Sequence, residues 1–268
     1  TLVGGTGLGN AFQRFETLEF CAKTIMEAGA LGSVAALPDE VIEAFDSRDN
    51  RLPELSEHVP SSRENELRGA LIDVVRRAYR QRLIISTYGT FSARVSDSSF
   101  LITPYGADRF YLDRGDLVYV ENGRREPGAL PSRAVRLFAE IYQRHPEIGC
   151  VITAQSPEAM AYAVTDTALD TRTIPESYIL LRDIPLLECH DQFARPRRVA
   201  DAIGPDTPIA LLKNDSLLVT GGTVFETFDR LEVCEFSARS LVRSRSIGPV
   251  VPMGEAELED IRRTFLER

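Results

Sequence analysis

Side chains with obvious chemical potential are few in this 268-residue chain, which holds three histidines and four cysteines. His58 falls in a proline- and acid-rich stretch that reads as a linker. His145 ends a helical pattern just before Pro146, where a cation suits the helix dipole. His190 stands in Glu188-Cys189-His190-Asp191, which has the look of a ligand cluster. Neighbours on a strand point to opposite faces, so a structural role is expected for it. Cys21, Cys150, Cys189 and Cys234 show no CxxC spacing, so neither a zinc ribbon nor a redox pair is indicated. Each sits in an apolar neighbourhood and is expected to be a free, inert thiol. Gly4-Gly5-Thr6-Gly7-Leu8-Gly9 does not fit the GxGxxG dinucleotide loop, and no complete strand precedes it.

The arginines gather at Arg76, Arg77, Arg80 and Arg82, and again at Arg195, Arg197 and Arg198, where solvated helix faces are expected rather than an anion site. A net charge of −9 leaves no basic stripe to displace counterions from phosphates, so no nucleic-acid partner is expected. Apolar residues make up 43% and charged residues 26%, the mix of a globular protein with a core of its own. No apolar run is long enough for a bilayer, and no signal peptide is evident. A cytoplasmic protein is the simplest expectation.

The elements that must position any site carry an internal repeat. The segment Val3 to Glu16 returns as Val219 to Glu232, and the register holds through Phe12 and Phe228, Arg14 and Arg230, Glu19 and Glu235, Ala22 and Ala238, Gly32 and Gly248, and Val34 and Val250. Every pair lies 216 positions apart, as Phe12 and Phe228 do. This implies a duplicated unit. Residues 1–47 are expected to be the last strand and terminal helix of a preceding copy, 48–62 a linker, and 63–268 a complete copy. Leu8 to Gly29 should be the helix equivalent to Glu226 to Ser246. Its apolar residues Phe12, Phe15, Leu18, Phe20 and Ile25 should pack on the complete unit or on another chain.

Within the complete unit, Ser61 and Glu64 form a capping box that opens a helix to about Arg80, with Leu67, Leu71, Val74, Val75 and Ala78 inward. Strands are expected over Thr90–Val95, Phe100–Thr103, Leu117–Val120 and Cys150–Ala154. Tyr178–Leu181 and Pro185–Glu188 read as further strand material. Ile209–Leu212 and Leu217–Thr220 should pair as a hairpin about Asn214-Asp215-Ser216. Helices are expected over Ser132–His145, from Pro157, and over Glu226–Ser244. Grouped strands with helices before, between and after point to a sheet covered on both faces.

Several ordered motifs resemble the class II aldolase/adducin family. Ser86-Thr-Tyr-Gly-Thr-Phe-Ser-Ala-Arg94 resembles its glycine-rich "GTSGNxSxR" turn, Ile102-Thr-Pro-Tyr-Gly106 its "ITPSG", Asp116-Leu-Val118 its "DLVxV", and Pro131-Ser-Arg-Ala134 its "PSSE". The resemblance runs from about Glu64 to Gly248. It implies an α/β fold, a three-layer α/β/α domain with a mostly antiparallel central sheet. Fuculose-phosphate and ribulose-phosphate enzymes of the family use zinc or a similar divalent ion to polarise a carbonyl, with a glutamate moving the proton.

The resemblance also assigns positions. The family's His-x-His pair falls on Thr153 and Gln155, the histidine of its "NHG" turn on Asp215, and its glutamate on Ala134. Three imidazoles suit zinc, whereas a hydroxyl, an amide and one carboxylate do not. No cofactor, and zinc in particular, is therefore expected. Part of the anion cradle persists in Thr87, Gly89, Gly106 and Ser132, with Thr90 in place of an asparagine. The resulting expectation is a non-catalytic domain that supports oligomerisation, packs against a sister repeat or holds a small phosphorylated or other anionic ligand. The alternative is a metal-dependent aldehyde-lyase acting on a sugar phosphate, its site completed by the other repeat or by unconventional ligands.

Overall fold

The computed structural model describes residues 1–46, 49–128 and 130–267; the expected boundary between the first unit and its linker, at residues 47 and 48, lies outside them. Helices α1 (Leu8–Ala28), α2 (Asp39–Asp46) and α3 (Ser62–Arg80) come first. Strands β1 (Thr90–Ser96), β2 (Ser99–Ile102), β3 (Val118–Glu121) and β4 (Arg124–Arg125) follow. Then come α4 (Val135–Arg144), β5 (Cys150–Ala154), α5 (Pro157–Ala163), α6 (Pro175–Leu181), β6 (Leu186–Leu187), α7 (Asp191–Ala194) and α8 (Pro196–Ala202). The chain closes with β7 (Ile209–Leu212), β8 (Ser216–Gly221), α9 (Val224–Ser244) and α10 (Glu255–Ile261).

The strands form one sheet in the order β4-β3-β2-β1-β5-β8-β7-β6, antiparallel throughout except for the parallel β6–β7 pair. Strand alternation builds its two faces. Phe91, Ala93, Ile152, Ala154, Leu217 and Val219 point towards α3, α5 and α9. Phe100, Ile102, Val151, Ala210, Leu212 and Leu218 point towards α4 and α8. Each fully buried large apolar side chain contributes about 1.5–3 kcal/mol over an exposed one, so both faces must be covered. The fold is the three-layer α/β/α arrangement expected. At the opening of α3, Ser61 Oγ accepts a hydrogen bond from the Glu64 amide at 3.1 Å, as the capping-box pattern required.

Tyr178–Leu181 is not a strand but the end of α6. Pro175 occupies its first turn, and Tyr178 and Leu181, three apart, are both buried on one side of the helix. A short apolar run does not by itself distinguish the two periods. Residues 1–7 carry no strand; α1 follows them directly. Cys21 is exposed on α1, whereas Cys150, Cys189 and Cys234 are buried, and burial pushes the Cys150 thiol up to about 12. No helix among the described residues is long and apolar enough to cross a membrane.

Helix α1 packs on α5, with Phe20 against the core. Tyr79 Oη donates to Glu16 Oε1 at 2.6 Å. Beneath α1 lie two buried carboxyls, Glu158 and Glu235. Glu235 reaches across from α9 and accepts from the amides of Glu158 (3.2 Å) and Ala159 (2.9 Å), satisfying the first turn of α5. Lys23 Nζ stands 3.2 Å and Arg239 Nε 3.0 Å from Glu158 Oε1. Burial raises the Glu235 pKa, and its hydrogen bond with Glu158 raises it further. Against the burial that opposes it, that same bond and the two cations hold Glu158 below the usual range. Glu158 Oε2 is buried with no other donor, so one proton shared from Glu235 satisfies both groups.

A pH dependence follows. Glu235 keeps in the folded state a proton that the unfolded chain releases near 4.5, so its contribution falls as pH rises from 4.5 towards the raised value. The limiting slope is about 1.4 kcal/mol per pH unit. Glu158 acts oppositely, losing its contribution as pH falls below 4.5. Glu235→Gln keeps an acceptor for one of the two α5 amides and supplies a permanent donor to Glu158. It is expected to flatten the alkaline-side loss, read as a smaller difference in urea midpoint between about pH 5 and about pH 7 than in the parent chain.

Candidate functional site

One end of the sheet opens into a cavity of about 450 Å³ on the α4 side. Its first wall is the turn leading into β1, where Ser86 (φ 48°) and Gly89 (φ 82°) take the left-handed conformation. Thr87, Tyr88, Gly89 and Thr90 line the cavity from this turn. Across the sheet Thr90 is directly opposite Thr153 of β5. The second wall continues from β2, where Tyr105 and Gly106 (φ 71°) line the space.

Ser132 is brought to the same place by its amide, which donates to Thr103 O at 3.0 Å. Its hydroxyl lies 2.7 Å from that of Thr90, and both residues are buried. Directly after it begins α4, whose N-cap is Ala134 with no side-chain cap and no acid in the first turn. Ser132 itself covers this entry, its hydroxyl accepting from the Ala134 amide at 3.4 Å and its carbonyl from the Val135 amide at 3.0 Å, and the positive end of the helix dipole lies beside the cavity that Ala134 lines. Arg133 sets its guanidinium over the Tyr105 ring at 5.2 Å.

The three positions matched to the family's metal ligands also line this cavity. Thr153 is buried, and Gln155 keeps its Oε1 buried without a hydrogen-bond partner. Asp215 accepts from the Ser216 hydroxyl at 2.7 Å. Its turn is anchored by Asn214 (φ 56°), whose amide side chain donates to Ala35 O at 2.7 Å. All the cradle residues expected from the motifs, Thr87, Gly89, Thr90, Gly106 and Ser132, are thus in one cavity with Ala134, Thr153, Gln155 and Asp215.

Two lining residues carry no sequence signal. Gln192 comes from α7. Arg109 is 2% exposed and donates to the carbonyls of Gly89 (2.8 Å), Pro104 (3.1 Å) and Ala107 (2.7 Å), tying the two glycine turns together. Burial pulls its pKa down to about 10, so it stays a cation at neutral pH beside the cavity. A buried arginine of this kind sits in a loop without periodicity, and nothing in its spacing marks it.

The histidines are engaged elsewhere. His58 stacks on Tyr119 at 3.9 Å and meets Glu64 Oε2 at 2.9 Å. His145 ends α4 and contacts Ala200 O at 2.8 Å. His190 precedes α7 rather than lying on a strand, and meets Arg195 at 2.7 Å. Asp191 pairs with Arg195 and Arg198, Arg197 with Glu140, and Arg76, Arg77 and Arg82 with Asp113, Glu232 and Glu19, so these arginine runs are ion-paired surfaces.

The family model described as the class II aldolase and adducin N-terminal domain matches residues 69–242. An L-fuculose phosphate aldolase of Methanococcus vannielii is 24% identical over 63% of this chain and 91% of its own length. A methylthioribulose-1-phosphate dehydratase of Acidiphilium cryptum is 29% identical over 55% of this chain and 76% of its own. A solved L-fuculose 1-phosphate aldolase superposes with a TM-score of 0.66 at 21% identity, covering 78% of this chain and 99% of that one. At that identity the superposition establishes the fold alone.

These matches correct the expectation that no cofactor is involved. The matched family is the one associated above with a divalent metal, and its relatives here bear the names of an aldolase and a dehydratase, so a metal is the cofactor that membership points to. The donors of this chain do not fit zinc: among the described residues no group of three or more His, Cys, Asp or Glu side chains could hold an ion. Thr153, Gln155 and Asp215 offer oxygen only, with one carboxylate, which suits a hard cation. The orphaned Gln155 Oε1 is an acceptor that such a cation would satisfy. With the family model matched over most of its length and the fold shared with a solved relative, this chain belongs to the class II aldolase and adducin N-terminal domain family.

Proposed function

We propose that this chain is a sugar-phosphate lyase domain whose cavity takes a small phosphorylated polyhydroxy-carbonyl compound. The observation that carries the reading is the convergence on one cavity of two left-handed glycine turns, the hydroxyls of Thr87, Thr90 and Ser132, and the N-terminal end of α4. Hydroxyls and the positive end of a helix dipole around a concave site suit a phosphate, and among the described residues no carboxylate but Asp215 lines the cavity to repel it. The cationic Arg109 behind the turns raises the local potential further. A divalent cation would be held by Asp215 with Thr153 and Gln155, and when bound it supplies Lewis-acid polarisation of a substrate oxygen. The names of the two relatives, both for proteins acting on phosphorylated sugars, support the substrate class.

Ala134 favours a second reading, ligand binding without turnover, because a methyl group cannot move a proton where the family keeps a glutamate. Calorimetry with inorganic phosphate, in the presence and absence of magnesium, tests the shared premise. Ser132→Ala is expected to weaken phosphate binding about tenfold, the loss of one charge-assisted hydrogen bond. Asp215→Asn is expected to abolish any effect of magnesium on that binding. Release of a carbonyl product from a panel of sugar phosphates supports the lyase reading, and binding without product supports the second. Absence of phosphate binding defeats both.

A further inference from the structure

The two halves of the repeat adopt the same local structure while burying opposite faces. Helices α1 and α9 are both 21 residues long, and their first and last residues keep the 216-position offset. The hydrogen bonds that enter them are duplicated as well. Arg14 Nη1 donates to Gly4 O at 2.8 Å, and Arg230 Nη1 donates to Thr220 O at 2.7 Å, both at the shared offset. The Thr6 amide donates to the Asn10 side chain as the Gly222 amide does to Glu226. Residues 4–28 are therefore a second instance of the turn and helix that close the complete unit.

In α9 the residues Val224, Phe228, Leu231, Cys234, Ala238 and Val242 are buried and belong to the core beneath the sheet. Their partners in α1 are Leu8, Phe12, Phe15, Leu18, Ala22 and Met26. Leu8 is 89%, Phe12 51%, Phe15 49%, Leu18 48% and Met26 78% exposed. Helix α1 packs on the complete unit as expected, through Phe20, while Phe12, Phe15, Leu18 and Ile25 stay about half exposed. Conversely, α1 buries Thr24 and Ala28 and packs Phe20 on the core, while the partner of Phe20, Phe236 on α9, is 62% exposed. The polar register agrees too. Glu19, exposed in the midst of the apolar stripe, corresponds to Glu235, the buried carboxyl that satisfies the first turn of α5.

We infer that the exposed stripe of α1 is one half of a helix–sheet interface whose other half is the sheet of a second aldolase-type unit, with the start of an α5-like helix above Glu19. The α9–sheet interface in this chain is the template, and α1 repeats its helical half residue for residue. A second copy of the chain is a poor occupant, because its own α9 already covers that face of its sheet. The fitting occupant is a unit on the same polypeptide that ends in α1. In that arrangement α1 uses its inner face for its own unit and its outer face, through Phe20, Lys23 and Thr24, to dock on α5 of the next. The inference stands independently of what the cavity binds.

Cys21 reports on this face: its counterpart Ser237 is buried, with its hydroxyl 2.6 Å from that of Ser177. The rate of maleimide labelling is compared between this 268-residue chain and the polypeptide translated with the coding sequence upstream of Thr1. In the chain alone Cys21 is expected to label under native conditions while Cys150, Cys189 and Cys234 require denaturant. In the longer polypeptide Cys21 labelling is expected to slow by about tenfold or more, the behaviour of a group reached only through local opening. An unchanged rate in the longer polypeptide overturns the inference, as does an upstream sequence encoding no α/β unit. So does a chain that dimerises by sedimentation with Cys21 protected, since the face would then be self-complementary.

Discussion

Gly89→Ala is expected to be among the most damaging single-methyl additions in the molecule. The residue sits at φ 82°, where an L side chain meets its own backbone, and its ideal Cβ would lie 2.6 Å from Cγ2 of Ile84, which is fully buried. The left-handed conformation costs roughly 1–2 kcal/mol for a non-glycine residue. Forcing a methyl into a filled core costs typically about 1–3 kcal/mol more. A loss of about 3 kcal/mol in urea unfolding is therefore expected. Gly106 supplies the internal comparison: it shares a positive φ of 71°, but its Cβ would meet nothing within 4 Å. Gly106→Ala should lose only the conformational part, about 1–2 kcal/mol. Equal losses at the two positions would mean that the Ile84 contact relaxes freely.

Much of the architecture was legible in the residues because it rests on short-range rules. Alternation in Thr90–Ser96 and Cys150–Ala154 fixed which side chains face α3 and which face α4, and Ser61 with Glu64 placed the start of α3. Tyr178–Leu181 was misread because four apolar residues fit either period, and only Pro175 behind them decides for a helix. The site was legible through its motifs. Glycine turns and a hydroxyl-rich cradle carry recognisable local patterns, so Thr87, Gly89, Thr90, Gly106 and Ser132 were found before their convergence was visible. Reading Thr153, Gln155 and Asp215 by residue type alone led to the exclusion of any cofactor. Three oxygen donors with a single carboxylate are a weak set by type, whereas family membership and an unpartnered Gln155 oxygen point to a metal there. The uneven exposure of α1 was out of reach of periodicity, since Phe12 and Phe20 are equally apolar and only tertiary packing separates them.

Arg109→Met should lower stability and ligand affinity together, and the contrast with Ser132→Ala shows why. Among the described residues Arg109 makes no ion pair; its guanidinium is solvated by the carbonyls of Gly89, Pro104 and Ala107, which it draws into one rigid frame. Removing it leaves those buried acceptors without a donor, at about 1–3 kcal/mol for each that water does not reach. Because the three share one donor group the costs are not additive, and a net loss of about 3–5 kcal/mol is expected in urea unfolding. Arg109→Lys should recover part of it, since an ammonium is charged but lacks the planar fork that reaches both turns. Phosphate affinity should fall as well, because the turns carrying Thr87, Gly89 and Gly106 lose their brace and the cavity loses a buried cation. Ser132→Ala, by comparison, should weaken phosphate while leaving the unfolding midpoint nearly unchanged, since the Thr90 hydroxyl that loses its partner lines an open cavity that water can enter. If Arg109→Met lowered stability but left phosphate binding intact, the two turns would be shown to hold their donors without the brace, and the anion site would rest on Ser132 and the start of α4 alone.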